Sequence, residues 1–238
     1  MRKQTLILCP GLLNDAALWA HQTAHLGDLA DCHVVDTSAS ARLGDLAEAV
    51  LAAAPGQFAL AGLSMGGYVA FEVMRRAPER VARLALINTS ARPDTPEAKE
   101  RRLQMIAIAE KGGFDKLPGQ ILEGQLHPER FADPGLKGAA LAMAARVGAD
   151  GFMRQQQAIL GRPDSSTTLA EIACPTLVVG GMQDKLTTPE IMAEIAAGIP
   201  GAAFTLIEGA GHLTPIEQPE ALTALLRLWL SNHDLAKD

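Results

Sequence analysis

A serine stands between glycines in the segment Gly62-Leu63-Ser64-Met65-Gly66-Gly67, and this spacing could make it a nucleophile. The apolar run 58–61 before it predicts a strand, and the stretch 68–77 after it predicts a helix. A serine in a sharp strand-to-helix turn has its hydroxyl directed away from the backbone. The flanking glycines remove side chains that would collide with a neighbouring strand or helix. The segment predicts a nucleophile elbow at Ser64, and a glycine-rich loop or helix N-cap without chemistry is the alternative.

An acid and a histidine occur later in the chain, each in a loop just after a predicted strand. Asp184 follows the apolar run 174–181, and His212 ends the glycine-rich loop after the run 204–207. An imidazole with a reference pKa of ~6.5 can take the proton of a serine hydroxyl near neutral pH. A carboxylate can fix the tautomer of that imidazole and stabilise its charged form. We therefore predict Ser64, Asp184 and His212 as catalytic residues.

The elbow and the order serine, acid, histidine resemble the α/β-hydrolase family, and the resemblance extends from Thr5 to Leu230. It implies a mostly parallel central sheet with helices on both faces. It also implies an oxyanion hole made by two backbone N–H groups, those of Met65 and of Leu12, which follows Pro10-Gly11. Family members commonly begin with an antiparallel hairpin. This chain starts almost on its first buried strand, so we expect that edge hairpin to be missing.

Other acids could take the place of Asp184. Asp36 also ends a predicted strand, but an acid there more often orders the following loop. Glu208 and Glu217 flank the histidine loop, and we expect Glu217 to have a structural role at the start of the last helix. Some family members place the acid at a position occupied here by Asn88, whose amide cannot carry the charge. Asp184 is therefore the favoured acid.

Strands and helices alternate along most of the chain, which predicts a parallel sheet covered on both faces. The region 92–162 breaks this alternation, because it contains no convincing strand and resembles the helical cap of many α/β-hydrolases. We predict a core formed by 1–91 and 163–238 with the cap inserted between them. The predicted strands are 5–9, 33–36, 57–61, 81–87, 174–181 and 204–207; the predicted helices are 16–29, 43–53, 68–77, 97–110, 118–125, 136–147, 151–160, one from Pro189 and 217–230.

The cap is expected to form a pocket with few fixed charges. Arg101, Arg102 and Arg154 are expected on solvated faces rather than as anion clamps. The pocket then suits a small or medium uncharged ester. The candidate substrate-binding residues are Leu13, Trp19, Phe131 and Met153, although for Trp19 a packed core aromatic is the favoured interpretation.

The nucleophile narrows the chemistry. Dehalogenases and epoxide hydrolases of this fold have an aspartate at the elbow, so Ser64 indicates acyl transfer to water from an ester, lactone or thioester. The resemblance is strongest to cap-bearing carboxylesterases and enol-lactonases. A carbon–carbon bond hydrolase, lyase or peroxidase-type reaction on the same three residues stays open, as does a ligand-binding receptor with slow turnover.

Composition excludes several other classes. A formal net charge of −6 without a basic patch argues against nucleic acid as a partner. No apolar run reaches the ~18 residues that span a bilayer. The cysteines Cys9, Cys32 and Cys174 show no paired spacing, which indicates reduced thiols and a cytoplasmic location. His21 and His25 lack a third ligand, so no metal or cofactor is predicted. We expect a monomer or homodimer that binds a small acyl ester.

Overall fold

A single six-stranded sheet forms the centre of the molecule, as seen in a computed structural model that describes residues 3–231. The strand order is β2-β1-β3-β4-β5-β6, and every neighbouring pair is parallel. All carboxyl ends therefore lie at one edge of the sheet. The predicted fold class is confirmed, and within residues 3–231 no strand precedes β1. The strands are β1 Gln4–Cys9, β2 Ala30–Val34, β3 Phe58–Leu63, β4 Val81–Ile87, β5 Thr176–Gly181 and β6 Ala203–Ile207.

Helices cover both faces of this sheet. Successive side chains of a strand point to opposite faces, and β1 shows the result: Leu6 and Leu8 belong to one hydrophobic core, whereas Ile7 and Cys9 belong to the other. In the described part of the chain, no helix is long and apolar enough to cross a bilayer. The helices are α1 Ala20–His25, α2 Leu43–Ala53, α3 Met65–Arg76, α4 Pro96–Glu110, α5 Leu117–Glu123, α6 Pro134–Leu160, α7 Pro189–Gly198, α8 Thr214–Glu217 and α9 Pro219–Ser231.

Several predicted boundaries are wrong. β2 lies at Ala30–Val34 rather than at 33–36, because this edge strand alternates between buried and open positions and lacks a continuous apolar run. Helix α3 begins at Met65, directly after the serine, three residues before the predicted start. The predicted last helix begins at Pro219, as α9, rather than at Glu217, which instead ends the short helix α8.

Helices α4, α5 and α6, called here the inserted helices, lie between β4 and β5 in the chain. The long helix α6 packs against both α4 and α5. Two separate helices were predicted over its length. They are joined in the structure, but Gly148 interrupts the helix between them with a φ of 67°. The loop predicted between the two helices is thus a kink at Gly148 within one long helix.

Candidate active site

Ser64 occupies a strained turn between the end of β3 and the start of α3. Its φ of 54° and ψ of −113° lie outside the regions that most residues adopt. A side chain at Gly62 would overlap the backbone of Gly66, and one at Gly66 would overlap the carbonyl of Cys9. Only glycines therefore allow the turn to pack this closely against β1. The elbow geometry expected from the sequence is present.

Asp184 and His212 form a buried pair after the ends of β5 and β6. Nδ1 of His212 lies 2.7 Å from Oδ2 of Asp184. The same carboxylate accepts hydrogen bonds from Oγ1 of Thr187 at 2.5 Å, from Nδ2 of Asn88 at 2.8 Å and from the N–H of Leu186 at 2.8 Å. Burial opposes its charge, but the imidazole and these donors outweigh burial and lower the pKa of Asp184 to about 2. Asp184 is therefore ionised near neutral pH.

Ser64 and His212 line the same cavity, which has a volume of about 630 Å³. Within the described residues the hydrogen bonds of the His212 ring are made through Nδ1, so Nε2 has no protein partner. The inserted helices supply much of the wall, together with the loops that flank them. The other lining residues are Leu12, Tyr68, Ser90, Arg92, Pro93, Asp94, Thr95, Ala98, Arg101, Arg102, Met105, Gln120, Ile121, Gly124, Gln125, Ile159, Arg162, Leu186, Thr187 and Ile191.

A buried glutamine of α6 supports the loop after β1. Oε1 of Gln155 accepts a hydrogen bond from the N–H of Leu13 at 2.9 Å, and its Nε2 lies 3.3 Å from Oγ1 of Thr37. Leu13 has a φ of 61°, which is unusual for leucine. Leu12, the residue before it, lines the cavity. Met65 is the first residue of α3, where a backbone N–H has no acceptor within its own helix.

A buried carboxylate holds the loop that carries His212. Glu217 accepts hydrogen bonds from the N–H groups of Gly211 at 3.1 Å and Leu213 at 3.0 Å, on either side of the histidine. It also accepts one from the N–H of His127 at 2.7 Å, in the loop after α5. Burial raises the pKa of Glu217 despite these donors. The structural role expected for Glu217 is present, although the residue ends α8 rather than starting the last helix.

A direct backbone bond also ties this loop to the inserted helices. The N–H of His212 donates to the carbonyl of Gln125 at 2.6 Å. Gly211 has no room for a side chain, because a Cβ atom there would lie 2.5 Å from the nitrogen of His127. The main chain that positions His212 therefore rests on the segment that follows α5.

Residues 6–225 match the model of the alpha/beta hydrolase family. The chain belongs to this family. It is 30% identical to a thermophilic esterase from Thermogutta terrifontis, solved with malate bound, with a TM-score of 0.89 over 99% of this chain and 92% of that one. An enol-lactonase from Burkholderia xenovorans shares the fold, with 24% identity and a TM-score of 0.88 over 98% of this chain and 93% of that chain. A putative carbamate hydrolase, RutD of Klebsiella pneumoniae, is 27% identical over 79% of this chain and 71% of its own length.

Asn88 was missed as a partner of the acid. It has a φ of 42°, and its side chain donates to Asp184 and to the carbonyl of Gly211, at 3.3 Å. Its Oδ1 accepts a hydrogen bond from Oγ1 of Thr214 at 2.9 Å. The signal was available, because some members of the family have their acid at this position. An amide there can bind an acid that comes from the next strand.

The four predicted substrate-binding residues do not line the cavity. Trp19 is fully buried, in the core that also contains Leu226 and Trp229 of α9. Phe131 packs against the same core, with Nζ of Lys137 4.6 Å from its ring centre. Met153 is turned toward the other core. Leu13 lines a separate small cavity of about 10 Å³. Apolar type alone could not show which face of each element each side chain occupies.

The prediction for the arginines of α4 is wrong for Arg102, whose side chain is 19% exposed and pairs with Asp94 in the cavity wall. Arg101 is exposed as predicted, and it also lines the cavity. Arg154 is half-buried and donates to the carbonyl of Ser38 at 2.7 Å, away from the cavity. Asp36 orders its own loop as expected, because it accepts a hydrogen bond from the N–H of Ser38 at 2.8 Å. Among residues 3–231, no cluster of three or more His, Cys, Asp or Glu side chains could hold a metal ion.

Proposed function

We propose that this protein is a serine hydrolase that cleaves a carboxylic ester, lactone or thioester through an acyl-enzyme on Ser64. One observation carries the proposal. The imidazole of His212 is held through Nδ1 by an ionised Asp184, and its Nε2 has no protein partner among residues 3–231 in the cavity that Ser64 also lines. This arrangement supplies a nucleophile, a base and an orienting charge. Its relatives include proteins named as an esterase, an enol-lactonase and a putative carbamate hydrolase, and each of these names denotes a hydrolysis.

In the proposed reaction, Oγ of Ser64 attacks the substrate carbonyl while Nε2 of His212 takes its proton. The N–H groups of Leu12 and Met65 stabilise the negative charge that develops on the carbonyl oxygen. Collapse of the intermediate breaks the ester bond, and His212 returns the proton to the leaving oxygen or sulfur. Water then attacks the acyl-enzyme with His212 again as base, which releases the acid and restores Ser64.

We further propose that 92–162 acts as a cap domain on a core made of 1–91 and 163–238. The inserted helices supply much of the cavity wall, and α6 supports the Leu12 loop through Gln155. A cap of this kind limits substrate size and reduces access of water to the reacting atoms.

Hydrolysis of p-nitrophenyl butyrate and labelling by a fluorophosphonate test the proposal. We expect turnover and one covalent adduct in the unmodified protein. Ser64→Ala should abolish the adduct and reduce kcat by ~10⁴-fold or more. Ser166→Ala, a change outside the cavity, serves as the matched control and should keep both. The assignment would be contradicted if Ser64→Ala kept its turnover. It would also be contradicted if the unmodified protein showed no turnover.

A further inference from the structure

The cavity wall carries an excess of positive charge. Four arginines line it, at positions 92, 101, 102 and 162, whereas Asp94 is the one acid among its described lining residues. An apolar pocket for an uncharged ester does not need such a wall. The positive charges therefore indicate that the substrate carries a negatively charged group.

Asp94 cannot neutralise its two arginine partners. Its carboxylate lies 2.6 Å from Nε of Arg102 and 2.8 Å from Nη2 of Arg162. Burial opposes the charge of Asp94, but the two guanidinium groups lower its pKa overall, so it is ionised. The side chains of these three residues are only 6–19% exposed. Two positive charges and one negative charge leave a net charge of +1 in a half-buried wall.

The two remaining arginines differ in their pairing. Arg92 is held by Glu194, with 2.9 Å between its Nε and Oε1 of that acid. Arg101 has no carboxylate within 4.0 Å among the described residues. The charge of Arg101 acts on Glu97, four residues earlier on α4, but no ion pair joins the two side chains. The guanidinium of Arg101 is exposed and lines the same cavity as Arg102 and Arg162, so its donors are open to a bound anion.

This wall lies within reach of the nucleophile. The guanidinium of Arg162 is 4.3 Å from the ring centre of Tyr68, which follows Ser64 by four residues on α3. Four residues of helix correspond to about 6 Å along the axis. A short acyl chain bound to Ser64 could therefore extend across Tyr68 to the arginines. Met105, Ile121 and Ile159 line the cavity as well and provide apolar contact for the methylenes between.

We propose that the substrate is an ester or lactone that carries a second, remote carboxylate, which Arg101 binds in the positive wall made by Arg102, Arg162 and Asp94. The guanidinium fork matches a carboxylate in shape and charge. The proposal rests on the proposed function, since it places the ester carbonyl of the same molecule at Ser64.

Two esters with the same leaving group test this substrate class. p-Nitrophenyl hexanoate is neutral, whereas the p-nitrophenyl half-ester of adipic acid has the same carbon chain and a terminal carboxylate. The measured quantity is the ratio of kcat/KM for the adipate half-ester to that for hexanoate. We expect Arg101→Gln to lower this ratio about tenfold, because it removes a charge-assisted contact. Arg101→Lys should restore part of it, and added salt should reduce it in the unmodified protein.

Lys99→Gln removes a positive charge from an exposed site on α4, away from the cavity lining, and should leave the ratio unchanged. The substrate class is overturned if the unmodified protein has equal kcat/KM for both esters, or if Arg101→Gln lowers kcat/KM equally for both. Hexanoate turnover that depends on Ser64 would still uphold the hydrolase in either case. Calorimetric titration with free adipate measures the affinity of the proposed anion site without turnover. Adipate that binds the unmodified protein and Arg101→Gln equally, or binds neither, also overturns the inference.

Discussion

Replacement of Glu217 by glutamine tests how far one buried carboxylate holds the histidine loop. Glutamine has the same shape but keeps a single acceptor oxygen. The carboxylate accepts three backbone N–H groups, two beside His212 and one from His127. A glutamine that keeps the two bonds beside His212 must turn its NH₂ group toward the N–H of His127. That donor then lies opposite another donor and loses its partner.

The size of the effect follows from this count. A buried donor without a partner costs about 1–3 kcal/mol, and hydrogen bonds to a neutral acceptor are roughly half as strong as those to a charged one. Glutamine also avoids the desolvation that raises the pKa of Glu217, which offsets part of the loss. We expect a net destabilisation of about 2–3 kcal/mol. For a chain of this size that corresponds to a fall in Tm of roughly 5–10 °C.

Thermal and urea unfolding measure this change, and the kcat for p-nitrophenyl butyrate shows whether the loop still positions His212. We expect kcat to fall while KM changes little. Glu220→Gln is the matched control, since the side chain of Glu220 is 81% exposed and such a change costs less than about 0.5 kcal/mol. If Glu217→Gln and Glu220→Gln have the same Tm and both keep full activity, the carboxylate of Glu217 does not hold the loop and the reasoning is refuted.

Three further changes test other parts of the site. The pKa of Asp184 is about 2 in the folded protein, below the ~3.9 of an unfolded chain. The ionised carboxylate therefore stabilises the fold fully above pH ~3.9, and this stabilisation is lost as the pH falls toward 2. Asp184→Asn should make the free energy of urea unfolding less dependent on pH between these two values. Gln155→Ala should lower kcat for p-nitrophenyl butyrate about tenfold by releasing the Leu13 N–H, whereas the exposed Gln157→Ala should leave it unchanged. Trp19→Ala should cost about 3–5 kcal/mol in urea unfolding with no change in KM, and a raised KM would place this side chain at the substrate after all.

The sheet and the elements that carry Ser64, Asp184 and His212 could be predicted because each depends on a local pattern. Buried parallel strands show as short apolar runs, and the Gly-x-Ser-x-Gly spacing marks a turn that only glycines permit. The edge strand β2 was misplaced by three residues at its start because only one of its positions is buried and exposed positions alternate with the others. Local patterns thus predicted the central strands better than the edge.

The cavity wall could not be predicted, because it depends on how α4, α5 and α6 are oriented. Arg102 and Phe131 show two kinds of error. A charged residue beside a helical apolar pattern suggested solvent, yet Arg102 packs against Asp94 inside the wall. An apolar residue among the inserted segments suggested a ligand contact, yet Phe131 packs against the core. Residue type fixes neither outcome, since both are decided by tertiary packing.

The backbone bond between His212 and Gln125 limits how this enzyme fold could be rebuilt. A chimaera that exchanges residues 92–162 for the corresponding segment of a relative would also exchange a carbonyl and an N–H that hold the histidine loop. Substrate range and the position of the proposed base are therefore inherited together. A graft meant to alter substrate range alone would have to keep the turn 125–127, with its main-chain path unchanged, and vary the helices on either side of it.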